Sequence, residues 1–342
     1  GQGSQRAGMG KELYGRNETF RKALDAVFVE MDKHLLGRGR LGLKEVMFAE
    51  EGSEAGEQLN RTEYAQSALF ALEVGLYRVV ESLGVKAEVL LGHSIGELVA
   101  AHVSGVLGLV EACRLVSERG RLMQALEEGG AMVSVEATEA QVLSALALAG
   151  GRASVAGVNG PKSVVVSGEE AAVVRVVEEL ERRGHKATRL KVSHAFHSEL
   201  MEPMLEEFGR VAGGLVYGER RVGVVSNLSG RRAEGEEQRS AEYWVRHARG
   251  AVRFYEGVKS LHAEGVRTYL ELGPGAVLSG LGAQSVEGEA GGEGSEFIAS
   301  MRKGKSEEEG LLEALCRLHT RGLDVDWSAF FQPYGCKAVD LP

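Results

Sequence analysis

Only three cysteines occur in the chain, Cys113, Cys316 and Cys336, odd in number and widely spaced. That excludes a disulfide framework and fits free thiols in a reducing cytoplasm. No Lys/Arg run with interleaved aromatics is present, and 40 basic against 49 acidic residues leave a formal net charge of −9. This argues against nucleic acid as a partner; an acidic carrier or ligand would have to be met by a local basic patch. No long uncharged apolar run exists either. The most apolar stretch, 85–110, contains Lys86, Glu88, His93, Glu97 and His102, so it is no membrane span. No signal peptide is seen, and the chain opens at Gly1 without Met or a preceding strand, which reads as a fragment of something longer. What remains is a chain of 342 residues, 44% hydrophobic and 26% charged. That suffices for one large domain with an insert, or for two domains.

The stretch that organises the rest is 89–101, VLLGHSIGELVAA. An apolar run is broken by Gly92-His93-Ser94-Ile95-Gly96, and a helical pattern follows. In a chain with 47 glycines a G-x-S-x-G pentapeptide arises easily by chance. Strand, sharp turn, then helix is the context that makes Ser94 a nucleophile rather than an ordinary turn residue. The glycines on either side are expected where a side chain would collide with the neighbouring strand or helix.

Before this stretch, residues 1–10 (GQGSQRAGMG) form a glycine-rich loop, with a helix following through 27–35. The loop is no phosphate cradle, because Gly10-Lys11 is followed by Glu12. It is either a flexible turn or a loop carrying backbone N–H groups to a site. Residues 61–83 read as a long helix with Tyr64, Ala68, Ala71, Leu72, Leu76 and Val79 on one face, and 109–126 as another. Across 131–192 the pattern shifts to short alternating elements. Strand, helix, strand, strand, helix and strand follow one another over about sixty residues, the order of a ferredoxin-like unit. It interrupts a larger α/β domain. Beyond it come a helix at 203–211, a strand at 222–226, residues 243–247, a helix at 253–264 and a strand at 268–271. Residues 284–296 read as a mobile Gly/Glu/Ser-rich surface loop. An amphipathic helix spans 310–320, and 323–342 reads as an extended strap packed on the surface.

A serine hydroxyl needs a base. Among nine histidines, His93 adjoins Ser94 and would point away from the strained turn. His197, where the chain returns from the inserted unit, is the better candidate. His194 and His197 are equally readable as buried polar residues at a domain junction, and a zinc pair lacks completing ligands. Glu97 lies too close in the chain to orient a base on Ser94 and reads as a first-turn carboxylate on the helix dipole. A backbone carbonyl is then the natural holder of His197. Ile95 N–H would supply one oxyanion donor and the loop around Gln2 another. Arg119 is a solvated helix charge or a fork for a substrate carboxylate; spacing leaves both open.

These segments together resemble the acyltransferase domains of modular polyketide synthases and the malonyl-CoA:acyl-carrier-protein transacylases. GQGSQ at 1–5, GHSIGE at 92–97, ERGRLMQ at 118–124, SHAFHS at 193–198 and ELGPG at 271–275 occur in that family's order and spacing. The resemblance implies an α/β-hydrolase-like large subdomain (1–129 and 194–320), a ferredoxin-like small subdomain (130–193) and a linker after the acyltransferase (321–342). It implies Ser94 as nucleophile, His197 as base, Gln2 and Ile95 as oxyanion hole, and Arg119 gripping the free carboxylate of the extender unit. His93, Met123, His194, Ala195 and Phe196 would shape the acyl pocket, and a main-chain carbonyl near Arg253 would hold the base. The reaction implied is ping-pong transfer from malonyl-CoA to the phosphopantetheine thiol of an acyl carrier protein, with no bound cofactor or metal, in the cytoplasm. A ketosynthase and linker domains would adjoin it. Carrier docking would fall to Arg231–Arg232 or 246–253. Malonyl-selective members resemble this chain in HAFH and an aliphatic residue after the serine; methylmalonyl-selective ones tend to YASH and Gln. The alternatives are a methylmalonyl-selective acyltransferase, a serine hydrolase or editing thioesterase, and a silent docking module.

Overall fold

The computed structural model describes residues 2–36, 40–336 and 339. Helix α1 (Lys11–Arg16) ends at Asn17, whose side chain accepts the Phe20 N–H and so starts α2 (Glu18–Leu35). Such a cap stabilises a helix by about 1 kcal/mol, and here it splits the single helix expected from sequence into two. The short α3 (Leu43–Met47) and α4 (Glu54–Glu57) lead to α5 (Thr62–Ser82). The apolar stripe in the sequence suggests one buried face. Instead α5 is buried nearly all round, including Glu63, Gln66, Ser67 and Glu73. Buried polar groups on a central helix are the informative exception, because each needs a partner.

After α5 come β1 (Val89–Leu91), α6 (Ile95–Val103) and α7 (Leu109–Gln124). Gly120 lets α7 approach α5 closely: a Cβ there would lie 2.8 Å from the Glu63 Cα. The chain then leaves this body to build β2 (Gly130–Val135), α8 (Glu139–Ala149), β3 (Ala153–Gly160), β4 (Ser163–Glu169), α9 (Glu170–Arg182) and β5 (Ala187–Arg189). These strands pair antiparallel in the order β5-β2-β4-β3, the ferredoxin-like arrangement, and both helices cover one sheet face. Val133, Val135, Val142, Val166, Val176 and Leu180 form a core separate from that of the larger body. Thr138 and Gln141 close a reciprocal capping box at the start of α8.

Returning, the chain forms α10 (Glu202–Gly213), β6 (Gly223–Val225), α11 (Ala241–Arg249), β7 (Val252–Arg253) and α12 (Phe254–Ala263). It finishes with β8 (Thr268–Glu271), α13 (Val277–Val286), β9 (Glu296–Ala299), α14 (Glu307–Thr320) and α15 (Trp327–Phe331). Strands β6 and β1 pair in parallel, as do β8 and β9. Strand β7 joins the small subdomain's sheet beside β3, so that sheet borrows a strand from the larger body. The fold is an α/β-hydrolase-like body carrying a ferredoxin-like insert.

Two sequence expectations fail here. Residues 284–296 are no continuous loop, because α13 runs to Val286 and β9 starts at Glu296. Pairing with β8, invisible in a Gly/Glu-rich sequence, defines that strand. The expected extended strap from 323 instead holds α15, with its Asp326 cap accepting the Ala329 N–H, and Trp327 packed among Phe330 and Phe331. Residues 337, 338 and 340–342 of the expected linker, and Gly1, lie outside the described residues. No described helix is long and apolar enough to cross a membrane.

Candidate active site

Ser94 sits between β1 and α6 at φ 52°, ψ −110°, a conformation that costs a non-glycine residue roughly 1–3 kcal/mol. Gly92 makes the turn possible: a Cβ there would fall 2.1 Å from the Glu97 nitrogen. The same expectation fails for Gly96, where a Cβ would meet only the Glu73 carboxylate at 3.6 Å, an ordinary contact.

His197 Nε2 lies 2.8 Å from Ser94 Oγ, and its Nδ1 lies 2.8 Å from the Gly250 carbonyl. A carbonyl only accepts, so Nδ1 carries the proton and Nε2 presents its lone pair to the serine O–H. Burial first, then the nearby Arg119 and His247, hold the His197 pKa well below the usual imidazole value, so the ring is neutral at neutral pH. His197 also has positive φ, 55°, so both members of the pair sit on strained backbone. The carbonyl expectation holds, but the carbonyl belongs to Gly250, shortly before Arg253 in the chain; the Arg253 side chain bonds Glu139 in the small subdomain. Gly250 directly follows α11, whose C-terminal carbonyls lack helical partners.

Arg119 is buried on α7. Its Nη2 donates to Ser94 Oγ at 3.1 Å and its Nη1 to Gln66 Oε1 at 2.8 Å, while Nε has no partner among the described residues. Among those residues no carboxylate stands within ion-pair distance of it. Desolvation lowers its pKa to about 10, which leaves it charged. A buried cation without a counter-ion is costly, and its Nη2 meets Ser94 Oγ. Of the two sequence readings, the solvated helix charge is excluded.

Ile95 heads α6, so its N–H has no intrahelical acceptor. Gln2 lies at the same cavity, its side chain bonded to Thr62 and Gln66. His93 lines the cavity without reaching Ser94 Oγ; its Nε2 bonds Asn159 Oδ1 on β3 at 2.9 Å, and burial pushes its pKa down to about 4. Phe196 also lines the cavity. Met123, His194 and Ala195 do not. Met123 Sδ accepts from Gln66 Nε2, and His194 is tied to Ser193 and the Leu126 carbonyl. The zinc alternative falls with that geometry, and among the described residues no His/Cys/Asp/Glu group is arranged for a metal.

The cavity, about 870 Å³, extends from Ser94, Arg119 and His197 along the facing edges of β1 and β8. Among the described residues each of those strands pairs on its other side only. Sequence reasoning misses Gln66, Asn159, Asn227 and Gly250. Only Asn227, the amide that follows the apolar strand read at 222–226, carries any signal. Glu97 is a first-turn carboxylate of α6 as expected, but it is also fully buried and accepts from the Asn227 backbone and the Gln238 and Tyr243 side chains.

Comparison with known proteins bears on this arrangement. The acyl transferase domain model matches residues 1–325. The chain is 52% identical to polyketide synthase GfsA of Streptomyces halstedii over 345 aligned residues, covering all of this chain and 4% of that protein. It is 46% identical to the spectinabilin polyketide synthase system protein NorB of Streptomyces orinoci, covering all of this chain and 16% of that protein. The chain thus spans a small part of these relatives. Among solved structures, the acyltransferase domain from the second module of the salinomycin polyketide synthase superposes with a TM-score of 0.91 at 48% identity, covering 100% of this chain and 77% of that one. The malonyl CoA-acyl carrier protein transacylase of Clostridium perfringens gives 0.82 at 27%, covering 94% and 96%. With a serine elbow, a neutral histidine and a cavity reaching both already in place, the chain belongs to the acyl transferase domain family, as an acyltransferase domain of the polyketide synthase kind.

Proposed function

We propose that this domain transfers malonyl groups from coenzyme A to the phosphopantetheine thiol of an acyl carrier protein within a multidomain synthase. Arg119 carries the reading: a buried, charged guanidinium beside the nucleophile with no acid of its own among the described residues. A malonyl thioester brings the missing carboxylate. A hydrolase of neutral esters has no use for such a cation.

In the first half-reaction His197 Nε2 takes the Ser94 proton as Oγ attacks the thioester carbonyl. The N–H groups of Ile95 and Gln2 receive the oxyanion, each such donor being worth roughly 10²–10³ in rate. Collapse breaks the C–S bond, and the leaving thiolate takes the proton from His197 to depart as coenzyme A. In the second half, His197 takes the proton of the pantetheine thiol, the sulfur attacks the Ser94 ester, and the proton returns to Oγ. The malonyl carboxylate stays on Arg119 throughout.

Phe196 on the cavity wall supports malonyl over methylmalonyl. A ring there occupies space that a 2-methyl group needs, and one methyl is worth about 1–3 kcal/mol of discrimination. Intact-protein mass after brief incubation with equal malonyl-CoA and methylmalonyl-CoA tests this, with Ser94→Ala as control. A malonyl adduct absent from the control is expected. A methylmalonyl adduct overturns the selectivity, and free malonate accumulating without adduct replaces the transferase by a hydrolase.

A further inference from the structure

The buried carboxylate of Glu97 and the side chain of Asn227 take no part in the chemistry above, yet Asn227 bonds the Ser94 turn and Glu97 holds Asn227. Asn227 follows β6 and is 1% exposed. Its Oδ1 accepts the Ser94 N–H at 2.8 Å, and its Nδ2 donates to the Gly92 carbonyl at 2.8 Å. One amide therefore spans the residues on either side of His93 and satisfies a donor and an acceptor that the strained turn removes from any ladder.

Asn227 is itself fixed. Its backbone N–H donates to Glu97 Oε2 at 2.8 Å, and its carbonyl accepts the Arg253 N–H at 2.8 Å. The other Glu97 oxygen accepts Gln238 Nε2 at 2.6 Å and the Tyr243 hydroxyl, and His247 Nε2 lies 3.3 Å from Oε2. Tyr243 and His247 belong to α11, the helix that delivers the Gly250 carbonyl to His197. One carboxylate thus ties the mount of the nucleophile to the mount of the base.

We propose that Asn227, anchored by Glu97, is a positioning residue that fixes the Ser94 turn against His197 and sets the reactivity of the hydroxyl. This rests on Ser94 and His197 acting as assigned above. The amide touches neither substrate nor the reacting oxygen, so its loss lowers the rate of attack and leaves binding of the acyl donor in place. A displacement of about 1 Å at a nucleophile costs about 10²-fold.

The test compares wild type, Asn227→Ala and Asn227→Asp. Diisopropyl fluorophosphate reports Ser94 reactivity without any acyl-CoA, and malonyl-CoA gives kcat and KM. For folded Asn227→Ala, as judged by near-UV circular dichroism, labelling and kcat are expected to fall together by ~10²-fold while KM stays within about threefold. Asn227→Asp keeps the acceptor for the Ser94 N–H and loses the donor to Gly92, so about a tenfold loss is expected, roughly half of that effect on a logarithmic scale. Labelling at the wild-type rate in folded Asn227→Ala overturns the proposal, as does a rise in KM with kcat unchanged. Should Asn227→Ala not fold, Asn227→Asp decides by the same two readings. Labelling depends on no malonyl group, so the proposal stands or falls even where wild type loads none.

Discussion

The surroundings of Ser94 and the ferredoxin-like insert are built by opposite rules. The insert has its own apolar core, a capping box and strands that pair with one another, β7 alone coming from the larger body. The nucleophile's turn is strained, and its partners come from residues more than a hundred positions away, His197 and Asn227, the first of them held in turn by Gly250. Buried there are a glutamate, neutral histidines and an arginine with no acid beside it among the described residues. The insert devotes its residues to stability, and the larger body concentrates costly polar groups where chemistry needs them.

Breaking the polar region has the largest expected effect. His197→Ala lowers the rate of malonyl adduct formation by about 10²–10⁴-fold, the range for loss of a general base, in quench-flow mass measurements. In the wild type the same experiment against pH sharpens the point. Burial lowers the His197 pKa, so the neutral, competent ring persists as pH falls through about 6.5, the unperturbed imidazole value, and the rate drops only below it. A midpoint at or above that value counts against the base being this buried ring.

Arg119→Ala comes next, with a fall of roughly 10²-fold in kcat/KM for malonyl-CoA, from loss of charge-assisted bonds of about 1.5–3 kcal/mol each. Acetyl-CoA, which has no free carboxylate, is expected to load as well or better. Unchanged malonyl loading removes Arg119 from the carboxylate role. Smaller again is the change on replacing Phe196 by Ser together with His194 by Tyr. Competition between the two CoA thioesters is expected to shift toward methylmalonyl by about tenfold, within the range open to one methyl group.

On the other side of the comparison, Leu180→Ala in the insert's core should cost about 2–5 kcal/mol in denaturant unfolding while folded protein still labels at Ser94. Loss of labelling in the folded variant would mean that the insert, through the His93–Asn159 bond, helps to hold the turn.

The apolar pattern makes the insert's own six elements legible, though not the borrowed β7, because its periods of two and of 3.6 survive in a unit with its own core. The elbow is legible for a different reason: G-x-S-x-G between a strand and a helix is a local backbone constraint, and Ser94 with Ile95 follows from it. His197, Arg119 and Gln2 come from motif order, which says that residues belong together without giving distances. Helix α5 shows the limit. Its apolar stripe is evident in the sequence, but Gln66 and Glu63 lie off that stripe and are buried all the same by α2 and α7.

Sequence alone determined the fold class and the family and singled out the Ser94 turn, since each is written in local periodicity or in an ordered set of short motifs. The tertiary structure alone decided that the Gly250 carbonyl holds His197, that the first-turn Glu97 is a buried anchor, and that Arg119 has no acid among the described residues. Each of those depends on which distant segment fills the space around a polar atom. Burial and pairing are properties of that packing, and no spacing along the chain encodes them.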